Sequence, residues 1–212
     1  DYGDNLIIPG FVDTHAHAPQ YCNRGLGMDK ELLPWLETYT FPEEAKFIDP
    51  DYARLVYGAF VHDLWRNGTT RSILFGTIHK ESTLVLMELL QKAGLSAYVG
   101  KVNMDRNSPE FLIEETNQSL ADTKVWLDAS AQFGPLVKPI ITPRFVPSCT
   151  SELMTGLAKL AKEYDVPVQS HLSENHGEID WVASLHPESL NYTDVYYEHH
   201  LMGTVPTVMA HC

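Results

Sequence analysis

Apolar positions fall along the chain in two rhythms. Short runs of apolar and β-branched residues alternate with longer stretches in which apolar residues recur every three or four positions. The short runs predict strands at Leu6 to Thr14, Thr69 to Phe75, Ala97 to Asn103, Val137 to Thr142, Val166 to Ser170 and Val205 to Ala210. The longer stretches predict helices at Tyr52 to Trp65, Ser82 to Ala93, Pro109 to Phe133, Thr150 or Ser151 to Tyr164, Gly177 to Leu185 and Thr193 to Met202. Local punctuation agrees. Asp49, Pro50 and Asp51 are helix-opening residues, Asn67-Gly68 is a stop, and Gly94 and Gly203 stand where helices end on a left-handed residue.

Strands that alternate with helices predict a parallel sheet, because each crossover must carry the chain back to the same edge. Six such strands suit a doubly wound sheet or most of a (β/α)8 barrel. A complete barrel takes ~250 residues, so the 212 residues read as one incomplete barrel, with its last units expected elsewhere. The stretch from Gln20 to Asp49 has no clear period and contains Pro34, Trp35 and Pro42. It predicts a long loop after the first strand, where barrels keep lids and gates.

Composition narrows the partners. Hydrophobic residues make up 44% and charged residues 20%, the balance of a globular protein. Lys and Arg number 15 against 28 Asp and Glu, for a formal charge of −13. That argues against nucleic acid or an anionic membrane as partner and leaves an uncharged base open. No apolar run reaches the ~18 residues of a membrane span, and the first residues lack the basic start of a signal peptide. Cys22, Cys149 and Cys212 are too few and too scattered for a disulfide framework. They predict a reducing, cytoplasmic setting. The ten histidines hint at metal binding or proton transfer, and their placement must decide it.

That placement is informative. His15 and His17 are two apart in FVDTHAH, so both rings leave the same face near a strand's C-terminal end. Alone, the pair reads equally well as two ordinary loop histidines. His171 follows VPVQS and His211 follows PTVMA, each at the same end of another predicted strand. In parallel α/β folds that end is the ligand-binding mouth, and four imidazoles meeting there suit a divalent metal. Glu174, three residues after His171, is placed to move protons over a metal-bound water; its plainer role is helix-start charge. Arg144 and Phe145 end TPRF, and their fork and ring suit a flat heterocycle with a carbonyl. Gln20 adds an amide near the His15 and His17 pair. His62, His186, His199 and His200 read as surface or packing residues, with His79 and His176 at the margin. There is no HExxH, CxxC, PCxxC, GxGxxG or P-loop, so other zinc and nucleotide chemistries lack support.

With these residues in place, Pro9 to His17, PGFVDTHAH, resembles the strand-one signature of the amidohydrolase superfamily. His15 to Gln20 (HAHAPQ), Thr142 to Phe145 (TPRF), His171 to Glu174 (HLSE) and Met209 to His211 (MAH) narrow the resemblance to its guanine-deaminating branch. The resemblance implies an α/β fold, a (β/α)8 TIM-like barrel of the amidohydrolase type, usually preceded by a small β-sandwich. It implies a metal site of His15, His17, His171 and His211, joined by an Asp from an eighth strand outside residues 1–212. Lys138 stands at the wrong end of the fourth strand to bridge two metals, so one ion is expected, zinc or else iron. The reaction implied is hydrolysis of guanine to xanthine and ammonia by a metal-activated water, in purine catabolism. Glu174 would relay protons and His211 would orient or deprotonate the water. Gln20 and Arg144 would hold the edges of the ring, Phe145 would pack on its face, and His171 would stand beside it. A cytoplasmic homodimer is implied as well. Two alternatives stay open: a deaminase or chlorohydrolase for a pterin, triazine or adenosine-like ring, and a non-catalytic scaffold, against which the four histidines argue.

Overall fold

Pro9 brings no amide donor and Gly10 has no side chain to pack, so neither supports a strand ladder. The sheet begins just after them. The computed structural model describes residues 1–212, and its first strand, β1, is Phe11–His17 rather than the expected Leu6 to Thr14. Leu6, Ile7 and Ile8 lie outside the sheet with exposed side chains. The shift carries His15 and His17 onto the last residues of the strand itself.

Within the stretch from Gln20 to Asp49, expected as a long loop, residues 24–31 are irregular. The rest up to Ile48, with Ala18 and Pro19 before it, is a chain of short helical turns: Ala18–Asn23, α1 (Leu32–Trp35), a π-turn at Leu36–Thr40, α2 (Phe41–Glu44) and Ala45–Ile48. None is long enough to print a helical period on the sequence. Regular alternation follows, with α3 (Pro50–Arg66), β2 (Thr69–Phe75), α4 (Lys80–Ala93), β3 (Ser96–Gly100), β4 (Val102–Asn103) and α5 (Thr116–Ser130). Then come β5 (Val137–Pro139), β6 (Thr142–Pro143), α6 (Ser151–Tyr164), β7 (Val168–His171), α7 (His176–Leu185), α8 (Tyr192–Glu198) and β8 (Thr207–Ala210).

Helix limits follow their caps. The Asp49 carboxylate accepts the Asp51 amide to open α3, and Gly94 closes α4 at φ 71°, as expected. The long helix predicted from Pro109 starts only at Thr116, because the Glu115 carboxylate caps it by accepting the Asn117 and Gln118 amides. The preceding turn delivers Glu114 to a buried contact with Lys101 instead. The last helix stops at Glu198, and His200 takes the left-handed turn at φ 60° that Gly203 was expected to supply.

All strand pairs are parallel. β1, β2, β3 and β5 form one sheet, β4 pairs with β6, and β7 with β8. The predicted third and fourth strands are each split, at Lys101 and at residues 140–141. At the second split the Ile140 amide donates back to Val99 while the Ile141 amide donates forward to Pro167. An Ile141–Val168 bridge joins the fourth position to β7. The result is an arc of six strand positions of a (β/α)8-type barrel. Register pairs His17 with Phe75, Phe75 with Gly100, and His171 with Ala210, so the C-terminal ends lie at one level. The main core, with Tyr57, Leu74, Leu86, Trp126 and Leu157, fills the space between strands and outer helices. A second cluster of Leu36, Phe41, Phe75, Met104 and Phe145 lies under the mouth.

Candidate active site

Four imidazoles converge at the C-terminal ends of β1, β7 and β8. The His15 ring is 5.2 Å from His17, 4.9 Å from His171 and 4.9 Å from His211, centroid to centroid. The His17 and His171 rings are near parallel at 4.9 Å, with their Nε2 atoms 2.8 Å apart. Beneath them lies Phe75, whose ring stacks on His17 at 4.4 Å and tilts against His171 at 4.5 Å. A flat apolar floor fixes the rings and keeps water off one side.

The protonation of His171 follows from its neighbour. Its Nδ1 lies 2.6 Å from the Arg144 carbonyl oxygen, which only accepts, so Nδ1–H donates and the Nε2 lone pair faces the cluster. Burial holds His17 and His171 well below the usual histidine range, with their mutual repulsion adding to the effect on His17. Burial, then the charge of His211, lowers His15 to about 4. Neutral imidazoles at ordinary pH are what a metal site needs.

His15, His17 and His171 form one group whose ligand atoms lie within 4.8 Å of one another, and His171, Glu174 and His211 form a second. The His17 Nδ1 is buried without a hydrogen-bond partner. Nitrogen-rich donors with a nearby carboxylate fit zinc, and they fit iron less selectively. The residues present therefore match the expected metal.

Glu174 and His211 sit at the open side, the Glu174 carboxylate 3.6 Å from His211 Nε2. Two non-glycine residues in the left-handed region aim them, Ser173 at φ 60° just before Glu174 and His211 itself at φ 71°. Such backbone needs a surrounding that over-determines it. The buried Glu178 carboxylate provides part of this, accepting the Glu174 amide at 2.9 Å and the Tyr192 hydroxyl at 2.6 Å. The Tyr196 hydroxyl donates to the His171 carbonyl at 2.6 Å. Burial raises the Glu174 carboxyl above its ordinary range, against the pull of His211.

The same cavity has a polar wall. Arg144 follows β6, and its Nη1 donates to the Glu44 carboxylate at 2.6 Å. The Gln20 amide, on the turn after β1, reaches the other Glu44 oxygen at 3.4 Å. Phe145, Leu36 and Trp35 supply apolar surface. One cavity of about 290 Å³ is lined by all eight residues singled out in the sequence: His15, His17, Gln20, Arg144, Phe145, His171, Glu174 and His211. That is near the lower bound for small-molecule sites. His79 and His176 do not line it. His186 is buried and meets Arg106 at 3.1 Å, a packing role. Lys138 is exposed, away from the mouth.

Sequence reading missed Phe75, Glu44, Glu178 and the buried Lys101–Glu114 pair. Phe75 closes a strand end level with the histidines, and that position was its one available signal. The others are charged residues in helices, in loops or, for Lys101, at the break between β3 and β4, where the chain gives no hint of burial.

The model of the amidohydrolase family matches residues 6–212. A guanine deaminase of Dictyostelium discoideum is 51% identical over the whole chain, which covers 47% of that protein. The Escherichia coli guanine deaminase is 41% identical, again over the whole chain and 48% of the relative. A crystal structure of guanine deaminase from C. acetobutylicum with guanine in its active site superposes with a TM-score of 0.94. It is 56% identical, and the match covers 100% of this chain and 52% of that one. The chain thus spans about half the length of the curated relatives it matches.

Proposed function

The chain belongs to the amidohydrolase family, and from that premise we propose that it carries the site for hydrolytic deamination of guanine to xanthine and ammonia. The observation that carries this reading is one cavity lined by four clustered imidazoles, Glu174, the Arg144 guanidinium and the Gln20 amide. His15, His17, His171 and His211, joined by the Asp expected from an eighth strand outside residues 1–212, would hold one zinc ion, with iron as the other candidate; the test below uses protein that includes that strand. A bound divalent ion supplies hydroxide at neutral pH by acidifying water.

The remaining work falls to the chain. Arg144 donates to the ring carbonyl and Gln20 meets the neighbouring N–H, which orients the 2-amino carbon toward the histidines. Phe145 excludes water from the ring face. Glu174, its carboxyl raised by burial, takes one proton from the attacking water to the ring nitrogen, then a second from the hydroxyl added at C2 to the departing amine, so that the C2 carbonyl forms as the bond to the amine breaks. His211, 3.6 Å away, steadies that carboxylate and orients the water. Guanine and water are consumed, and xanthine and ammonia leave. By analogy with the family the protein is read as a cytoplasmic homodimer with no nucleic-acid or membrane partner; no helix is long and apolar enough to cross a membrane.

The test is direct. Zinc-loaded protein should release one ammonia and one xanthine per guanine, and faster than it releases ammonia or chloride from pterin and chlorotriazine substrates. Stoichiometric zinc without ammonia release from guanine would reject the reading.

A further inference from the structure

Glu44 is a buried acid directly behind two residues of the cavity wall. Its side chain is 1% exposed and that of its partner Arg144 is 3% exposed, with the pair 2.6 Å apart. A buried ion pair is no dependable source of stability, because desolvation offsets most of the attraction. Its position needs another reason, and the geometry offers one. The two Glu44 oxygens are divided between the two polar groups of the wall, one on Arg144 Nη1 and one on Gln20 Nε2 at 3.4 Å.

A carboxylate only accepts hydrogen bonds, so contact with Glu44 fixes the Gln20 amide with its nitrogen toward the acid. The Gln20 carbonyl oxygen is then the acceptor left for the cavity. Arg144 commits one side of its planar fork to Glu44, with Phe41 5.3 Å from the guanidinium carbon, and leaves further N–H donors for the cavity. The wall therefore offers one donor and one acceptor in a fixed order, and its positive charge is already compensated. That pattern complements a neutral lactam edge, a ring carbonyl beside a ring N–H. A 6-amino ring presents the reverse, an amino donor beside a bare ring nitrogen.

We propose that Glu44 is a positioning residue that sets the polarity of the ring-reading wall, so that the site selects a 6-oxo over a 6-amino purine. This rests on the guanine reading above. Glu44 touches no substrate; it acts through Arg144 and Gln20.

The experiment compares guanine with 2,6-diaminopurine, which carries the same 2-amino group but an amino group at position 6. In Glu44→Gln the side chain keeps its shape and loses its charge, so Gln20 is free to turn over. The guanine KM should rise about tenfold or more while kcat changes less than about threefold, the signature of lost ring binding. The ratio of kcat/KM for guanine over 2,6-diaminopurine should fall by about tenfold or more, since an unpaired polar group is what rejects the wrong ring. A folded variant with the ratio within twofold of wild type overturns the assignment, even if KM moves, because a merely structural role shifts both substrates together. Should Glu44→Gln fail to fold, Glu44→Asp decides: it keeps the charge and withdraws it by one methylene, and the same ratio should fall about threefold. Active wild type with an unchanged ratio sinks only the role of Glu44. Wild type that releases no ammonia from guanine sinks the proposed function, and this inference with it.

Discussion

The two sides of the cavity are built in opposite ways. The histidine side stands on strand ends: His15 and His17 on β1, His171 on β7, His211 just after β8, with Phe75 at the end of β2 as their floor. Parallel register sets these positions at one level, and burial keeps His15, His17 and His171 neutral. The facing wall rests on short turns between residues 18 and 49 and on the two-residue strand β6. It is organised by a charged pair, Arg144 and Glu44, rather than by a sheet. Backbone hydrogen bonding places the groups that would hold a metal, and side-chain electrostatics place the groups that would read a ring. One scaffold can therefore keep its chemistry and change its substrate by altering the turns.

The largest expected effect tests the rigidity of the strand side. Phe75 is fully buried under three imidazoles, and Phe75→Ala should cost about 3–5 kcal/mol of stability. Trp35→Ala, on the turn side where the ring is partly exposed, should cost only about 1 kcal/mol. Denaturant midpoints with unchanged slopes would measure both. Equal losses would erase the contrast between a packed floor and an adaptable wall.

The next effect separates holding a metal from using it. Glu174 lies beside the cluster but is anchored through its backbone, by Glu178. Glu174→Gln should leave zinc stoichiometry near wild type while turnover of guanine falls by about 100-fold or more. Elemental analysis and an ammonia assay on the same preparation decide it. A variant that loses its metal would make Glu174 part of the metal site, and retained turnover would remove it from proton transfer.

The contrast also explains what could be read from the chain. The alternation of elements, Asp49 and Gly94 as helix limits, and the strand-end histidines were legible because each is a local pattern with a fixed period or offset. His15 and His17 were recognisable two apart because a strand repeats every two residues. The turns between 18 and 49 were not legible, since π and 3₁₀ turns a few residues long leave no repeat. Glu44 fell in a stretch read as a loop; only the fold shows that Arg144, 100 residues away, lies against it. Glu115 hid in the same way, its capping role clear only once the preceding turn is seen to bury Glu114.

The smallest effect is a pH dependence confined to the strand side. In the metal-free protein His15 is lowered from 6.5 to about 4, chiefly by burial, and burial holds His17 and His171 well below the usual histidine range as well. The unfolded chain therefore takes up protons on these residues below about pH 6.5 while the folded protein does not. Stability rises with pH wherever the unfolded state binds more protons, so it should decline as pH falls from 6.5 toward 4. His15 remains partly open to the cavity, and solvent screening keeps its share below the cost of truncating Phe75. Denaturant unfolding of chelator-treated protein at half-unit steps would show the slope. His15→Gln, which cannot titrate, should flatten part of it. Because protons and metal compete for the same lone pairs, zinc affinity should weaken over the same window. A stability that rises toward acid, or a slope His15→Gln leaves untouched, would mean the imidazoles are not held neutral by their burial, and the strand side would lose the property that sets it apart from the wall.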